Sequence, residues 1–159
     1  MTTEVRNILL AEDNENDVEL TLAALREHRL TNEIAVARDG ADALDYLYRR
    51  NRYASRMDAD PGLILLDLKM PRVDGIEVLR QIKSDPRLKM IPTVVLTSSR
   101  EESDLVASYA LGVNAYVVKP VGFPEFVKAI REIGVFWALI NEPPPDAERS
   151  GSEMREGPG

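Results

Sequence analysis

Four short segments are apolar at consecutive rather than alternate positions: NILLA (residues 7–11), LILLDL (63–68), TVVLT (93–97) and AYVVK (115–119). Runs of that length, rich in Val, Ile and Leu, predict strands covered on both faces. A fifth, NEIAVA (32–37), opens with polar residues and suits an edge. Between the strands the apolar spacing changes to three and four, which predicts helices. DVELTLAALREH (17–28) places Val18, Leu22 and Leu25 on one stripe, with Asp17 as N-cap. GADALDYLYRR (40–50) and DGIEVLRQIKS (74–84) show the same period, the second opening at Asp74 and stopped by Asp85-Pro86. ESDLVASYALG (102–112) ends at Gly112, and FPEFVKAIREIGVFWALI (123–140) reads as the longest helix. Strand and helix alternate five times. That order predicts an α/β fold with a parallel sheet and helices on both faces.

The residues between 50 and 62 form a long polar connection, and the basic cluster YRRNRYASR (48–56) reads as a solvated loop. The end, NEPPPDAERSGSEMREGPG (141–159), is rich in Pro, Gly and charge and reads as an extended arm followed by disorder. Two domains' worth of chain is lacking at 159 residues, so one unit over residues 1–140 is expected, with 141–159 as an extension. The absence of cysteine excludes disulfides, zinc-thiolate sites and cysteine catalysis. No basic leader and no run of about 18 apolar residues is present. A cytoplasmic protein without membrane contact is the expectation. A formal charge of −7 argues against a nucleic-acid surface. His28, the single histidine, falls at the end of the first helix, where a cationic side chain serves as a cap.

Open parallel sheets bind ligands beyond the carboxyl ends of their strands. The residues predicted there are Glu12 and Asp13 after the first strand, Asp67 after the third, Thr97 with Ser98 and Ser99 after the fourth, and Lys119-Pro120 after the fifth. Any one of them alone is an ordinary turn or strand-end residue. Together they put three acids, a hydroxyl and an ammonium on one edge. Clustered carboxylates repel unless a cation neutralises them, and a hard divalent ion with oxygen ligands, best Mg2+, answers that need. With it in place, Asp67 has the makings of a carboxylate nucleophile toward phosphorus, with Thr97 and Lys119 binding the remaining phosphoryl oxygens.

On these residues, with LLDLKMPRVDG (65–75) and YVVKP (116–120), the chain resembles the receiver domains of bacterial two-component response regulators. The resemblance covers roughly residues 5–140. It implies a flavodoxin-like, CheY-like fold with strand order 2-1-3-4-5 and five helices. It implies Asp67 as phosphoacceptor; Asp13, Asp67 and the Lys69 carbonyl as Mg2+ ligands with Glu12 acting through water; and a cis bond at Lys119-Pro120. It also implies a switch in which Thr97 moves to the phosphoryl group and Tyr116 turns inward. Glu12 departs from the more usual aspartate but keeps the charge. Lys69 and Ser99 stand two residues beyond Asp67 and Thr97, where family members tune acyl-phosphate lifetime.

The loop NRYASRMDADPG (51–62) and the ending VFWALINEPPP (135–145) resemble a narrower group, single-domain response regulators that partner phytochrome-type histidine kinases. The resemblance thus implies a sensor histidine kinase, of bacteriophytochrome type, as phosphoryl donor, and signalling without a DNA-binding output domain. It does not imply an enzyme acting on other substrates, only a protein catalysing its own phosphorylation and dephosphorylation. The apolar excess at the end of the last helix, including Phe136, Trp137 and Ile140, predicts a homodimer interface. Two other readings remain. A docking module without phosphochemistry would be expected to lack one of the acids, Thr97 or Lys119. An aspartyl-phosphate phosphohydrolase would carry an acid where Lys69 stands.

Overall fold

In a computed structural model of the chain, the described residues are 7–26, 33–98, 107–108, 110–113 and 115–134. The elements run β1 (Ile8–Ala11), α1 (Glu15–Arg26), β2 (Ile34–Ala37), α2 (Gly40–Tyr48), β3 (Leu63–Asp67), α3 (Gly75–Ser84), β4 (Thr93–Thr97), β5 (Tyr116–Val118) and α4 (Phe123–Glu132). Short 3-10 turns occupy Asn51–Tyr53 and Leu88–Met90. Between β4 and β5, Ala107, Ser108 and Ala110 are helical. Leu111 and Gly112 form a turn, with Gly112 at φ 96°. Residues 102–106 and 109 of that predicted helix lie outside the described residues, as do His28, Ser99, the three predicted interface residues Phe136, Trp137 and Ile140, and the tail.

All pairings are parallel, in the order β2-β1-β3-β4-β5. Strand side chains alternate between faces, which explains why the runs are apolar at every position. Ile8, Leu10, Leu63, Leu65, Val94 and Leu96 pack with Val18 and Leu25 of α1 and with Phe126, Ala129 and Ile130 of α4. Leu9, Ala11, Ile64 and Leu66 face the other way, onto Leu44 and Leu47 of α2 and Val78, Leu79 and Ile82 of α3. Two cores result, one on each side of a sheet whose β1, β3 and β4 are fully buried.

Three expectations are corrected. The N-cap of α1 is not Asp17: the Asn14 side chain accepts from the Asp17 N–H at 2.9 Å, and the helix starts at Glu15, three residues earlier than a cap at Asp17 would have it. Either residue type can cap, so composition alone could not choose the position. The last helix does not continue unbroken to residue 140. It ends at Glu132, where Gly134 adopts φ 77° and donates to the Arg131 carbonyl at 3.1 Å, a left-handed residue that terminates a helix.

The third correction concerns the loop after α2, which is not simply solvated. The Arg56 side chain is only 8% exposed. It donates from Nε and Nη2 to the Tyr46 carbonyl at 3.2 and 2.9 Å and lies 4.0 Å over the Tyr46 ring. Arg87 and Arg49 both reach Asp60, and Arg52 forms a two-point bond with Asp42. The cluster is basic because acids of α2 and of the loop itself answer it.

Candidate functional site

The alternation that buries β1 and β3 also carries their last side chains to one edge. Glu12 follows Ala11 and is fully buried, while its N–H donates to the Ala37 carbonyl at 2.9 Å, extending the β1–β2 ladder by one step. Asp67 closes β3 at 3% exposure. Its Oδ1 accepts from the Lys69 N–H at 3.2 Å, so the chain after the strand folds back onto its carboxylate. Asp13 is exposed. Glu12, Asp13 and Asp67 each bring one carboxylate oxygen into a set lying within 4.8 Å of one another.

Thr97 is fully buried at the end of β4, and its carbonyl accepts from the Lys119 N–H at 2.8 Å. That bond brings the β5 end alongside. From there Lys119 Nζ reaches Glu12 Oε1 at 3.3 Å, Asp67 Oδ2 at 3.3 Å and Asp17 Oδ2 at 3.2 Å. The Lys119-Pro120 bond is cis. Of the predicted site residues, Glu12, Asp13, Asp67 and Lys119 therefore converge, and Thr97 is tied to Lys119 through its backbone. Tyr116 is half-buried on the side of the sheet covered by α2 and α3.

Electrostatics show what the cluster costs. Burial, and then the Asp67 carboxyl bonded to it, push Glu12 up to about 8, against the pull of the Asn14 N–H and of Lys119. Burial disfavours the Lys119 ammonium, but the charges of Asp67, Glu12 and Asp17 outweigh that, and its value is raised. One ammonium is thus shared among three carboxylates. A hard divalent cation suits the oxygen donors of Glu12, Asp13 and Asp67. An open cleft of about 490 Å³, lined by Asp13, Lys69, Met70, Pro71 and Asp74 among others, adjoins the cluster.

Two groups at this edge were missed in the sequence. Asp17, expected as a cap, is a partner of Lys119; the acid run EDNEND (12–17) held the signal, since a residue in the first turn of α1 faces the strand ends. Arg72 and Asp39 form a two-point bond across the edge at 2.9 and 3.0 Å. Nothing in their spacing of 33 residues announces that pair.

Comparison with known proteins agrees with this architecture. Residues 8–131 match the family described as response regulator receiver domain. The response regulator Rcp1 of Synechocystis sp. is 42% identical over 130 residues, covering 82% of this chain and 87% of that protein. The structure of its Mn2+-bound form aligns with a TM-score of 0.69 at 40% identity, over 88% of this chain and 99% of that one. The bacteriophytochrome response regulator AtBRR aligns with a TM-score of 0.81 at 60% identity, over 87% of this chain and 99% of that chain. The phosphorylated cyanobacterial phytochrome response regulator RcpA aligns at 0.70 with 42% identity, over 84% and 94%. On the family match and on relatives of this identity and coverage, the chain belongs to the response regulator receiver domain family, beside the phytochrome-associated response regulators.

Proposed function

We propose that the chain takes a phosphoryl group onto Asp67 from the phosphohistidine of a sensor kinase and signals through the resulting change at the strand ends. The observation that carries this reading is the convergence on Asp67: two further carboxylates within ligand range and one ammonium at 3.3 Å from its Oδ2. An Asp67 oxygen attacks phosphorus, the new O–P bond forms as the P–N bond to the donor imidazole breaks, and the imidazole leaves with the electron pair. Lys119 exchanges its Asp67 contact for a phosphoryl oxygen, and Thr97, at the neighbouring strand end, offers its hydroxyl to another. Glu12, Asp13, Asp67 and the Lys69 carbonyl would hold Mg2+, which when bound neutralises the carboxylates and the phosphoryl charge. Tyr116 follows Thr97 as the reporter of the switch.

The receiver spans residues 1–140 in this reading, with 141–159 as an extension. Relatives named as phytochrome response regulators support a phytochrome-type histidine kinase as donor. Among the described residues no helix is long and apolar enough to cross a membrane, and the charge of −7 favours protein partners over nucleic acid, in keeping with a cytoplasmic signalling role. The apolar sequence around Phe136, Trp137 and Ile140 supports a homodimer. Intact-protein mass after incubation with acetyl phosphate tests the chemistry. We expect an Mg2+-dependent gain of one phosphoryl group, lost in Asp67→Asn; a native chain that gains none, and that also fails to bind beryllofluoride, overturns the reading.

A further inference from the structure

The loop from Leu68 to Asp74 carries the Lys69 N–H that holds Asp67 Oδ1, and it has no regular secondary structure of its own to fix it. It is nonetheless pinned from outside. Arg72 sits at φ 67°, a left-handed conformation that a non-glycine residue keeps only when its surroundings impose it. Its guanidinium bonds Asp39 at two points, Nε to Oδ2 at 2.9 Å and Nη2 to Oδ1 at 3.0 Å. Asp39 is itself fixed, because its Oδ1 caps α2 by accepting from the Asp42 N–H at 2.7 Å. Beside this bond the loop backbone rests directly on the first residue of α2: a Cβ on Gly40 would stand 1.7 Å from the Val73 carbonyl oxygen. The other end of the contact reaches the site as well, since Asp39 lies two residues beyond β2, whose Ala37 carbonyl holds the Glu12 N–H.

We infer that Arg72 and Asp39 are positioning residues for the phosphoacceptor site, clamping the loop after Asp67 to the capped start of α2 and so holding the Lys69 backbone in register with Asp67 and Glu12. This rests on the proposed phosphoacceptor role of Asp67. The clamp acts at a distance because metal and phosphoryl ligands on a loop are only as well placed as the loop is. It is a bond between side chains partly open to solvent, so its effect is moderate and weakens with salt.

The test uses the full chain and two variants chosen to keep the fold. Arg72→Asn removes the guanidinium yet tolerates the left-handed backbone. Asp39→Asn keeps a good helix cap and removes the charge. Arg52→Asn, which breaks the exposed Arg52–Asp42 bond further along α2, is the control. Mn2+ affinity by electron paramagnetic resonance and the rate of phosphorylation by acetyl phosphate are measured under conditions where circular dichroism shows every variant folded. We expect Arg72→Asn and Asp39→Asn each to weaken Mn2+ binding and slow phosphorylation roughly three- to tenfold. The double variant should be no worse than the single ones, and the control should match the native chain. Folded variants with native Mn2+ affinity and rate overturn the inference while leaving the phosphoacceptor reading intact. A native chain that takes no phosphoryl group overturns that reading and this inference with it.

Discussion

At the scale of single residues, identical charges have unequal worth here because their surroundings differ. Arg56 and Arg52 stand four positions apart in the same basic cluster. Arg56 is enclosed, donates to the Tyr46, Asp58 and Ala59 carbonyls and covers an aromatic ring, whereas the Arg52 side chain is 65% exposed. Arg56→Ala should lower stability by about 2 kcal/mol, since it removes the part-buried bonds to the Tyr46 carbonyl and opens a gap over the Tyr46 ring. Arg52→Ala should cost less than about 1 kcal/mol. Urea denaturation of both variants checks the contrast, and Arg56→Lys should recover little because the fork and the stacking are lost. Asp39 carries a pH signature. The bond from Arg72 holds its carboxyl below the usual range, with burial opposing and the Asp42 N–H assisting. A carboxyl depressed on folding contributes its stability above its unfolded value, and that contribution fades as pH falls through the folded one. The Tm difference between the native chain and Asp39→Asn should therefore be full near neutrality and shrink below about pH 4. None of this was legible in the sequence, where arginines in a loop look alike. Partners 10 to 33 residues away decide which is buried and which is not.

At the scale of elements, the strands were readable nearly to the residue and the helix ends were not. Consecutive burial writes itself into the sequence as an unbroken apolar run, so TVVLT matches β4 position for position. Asp74 was also legible as a helix start: its side chain caps α3 by accepting from the Glu77 N–H at 3.0 Å. A cap such as Asn14, by contrast, competes with neighbouring Asp residues, and the choice depends on where the strand before it stops. The residue after Asp74 shows how closely elements meet at the site. Gly75 donates its N–H to the Leu68 carbonyl at 2.9 Å, and a Cβ there would lie 2.3 Å from the Asp67 carbonyl oxygen and 2.5 Å from Leu68 Cα. Backbone cannot yield as a side-chain tip can. Gly75→Ala should lose about 3 kcal/mol in denaturant titration, and because the clash is with the end of β3 itself, Mg2+ affinity should fall in the fraction that remains folded.

At the scale of the whole molecule, the sheet stores repulsion on one edge and offsets it with two hydrophobic layers. The candidate acids could be placed there from the sequence because parallel topology sends every strand's last residue to the same side. Lys119 could be placed there for the same reason, but its further contact with Asp17 could not, since that depends on how far the side chain reaches across the edge to α1. A divalent ion that relieves the repulsion in the folded state stabilises it: Mg2+ at about 100 times its dissociation constant should add about 2.7 kcal/mol, seen as a rise in Tm that EDTA reverses. The same topology has a consequence in time. Ile8 pairs with Leu63, so the central β1–β3 ladder closes only when more than a third of the chain has been drawn together, a non-local step of the kind that slows folding. The loop after α2 lies inside that closing segment. Lengthening its exposed tip, at Met57 with 94% exposure, adds little to the closure entropy, about 0.6 kcal/mol for each doubling of the segment. Loosening its arginine contacts removes a local structure that gathers the chain around residue 60 close to where β3 begins. This stretch therefore steadies the closed ladder through its internal bonds far more than its length burdens it.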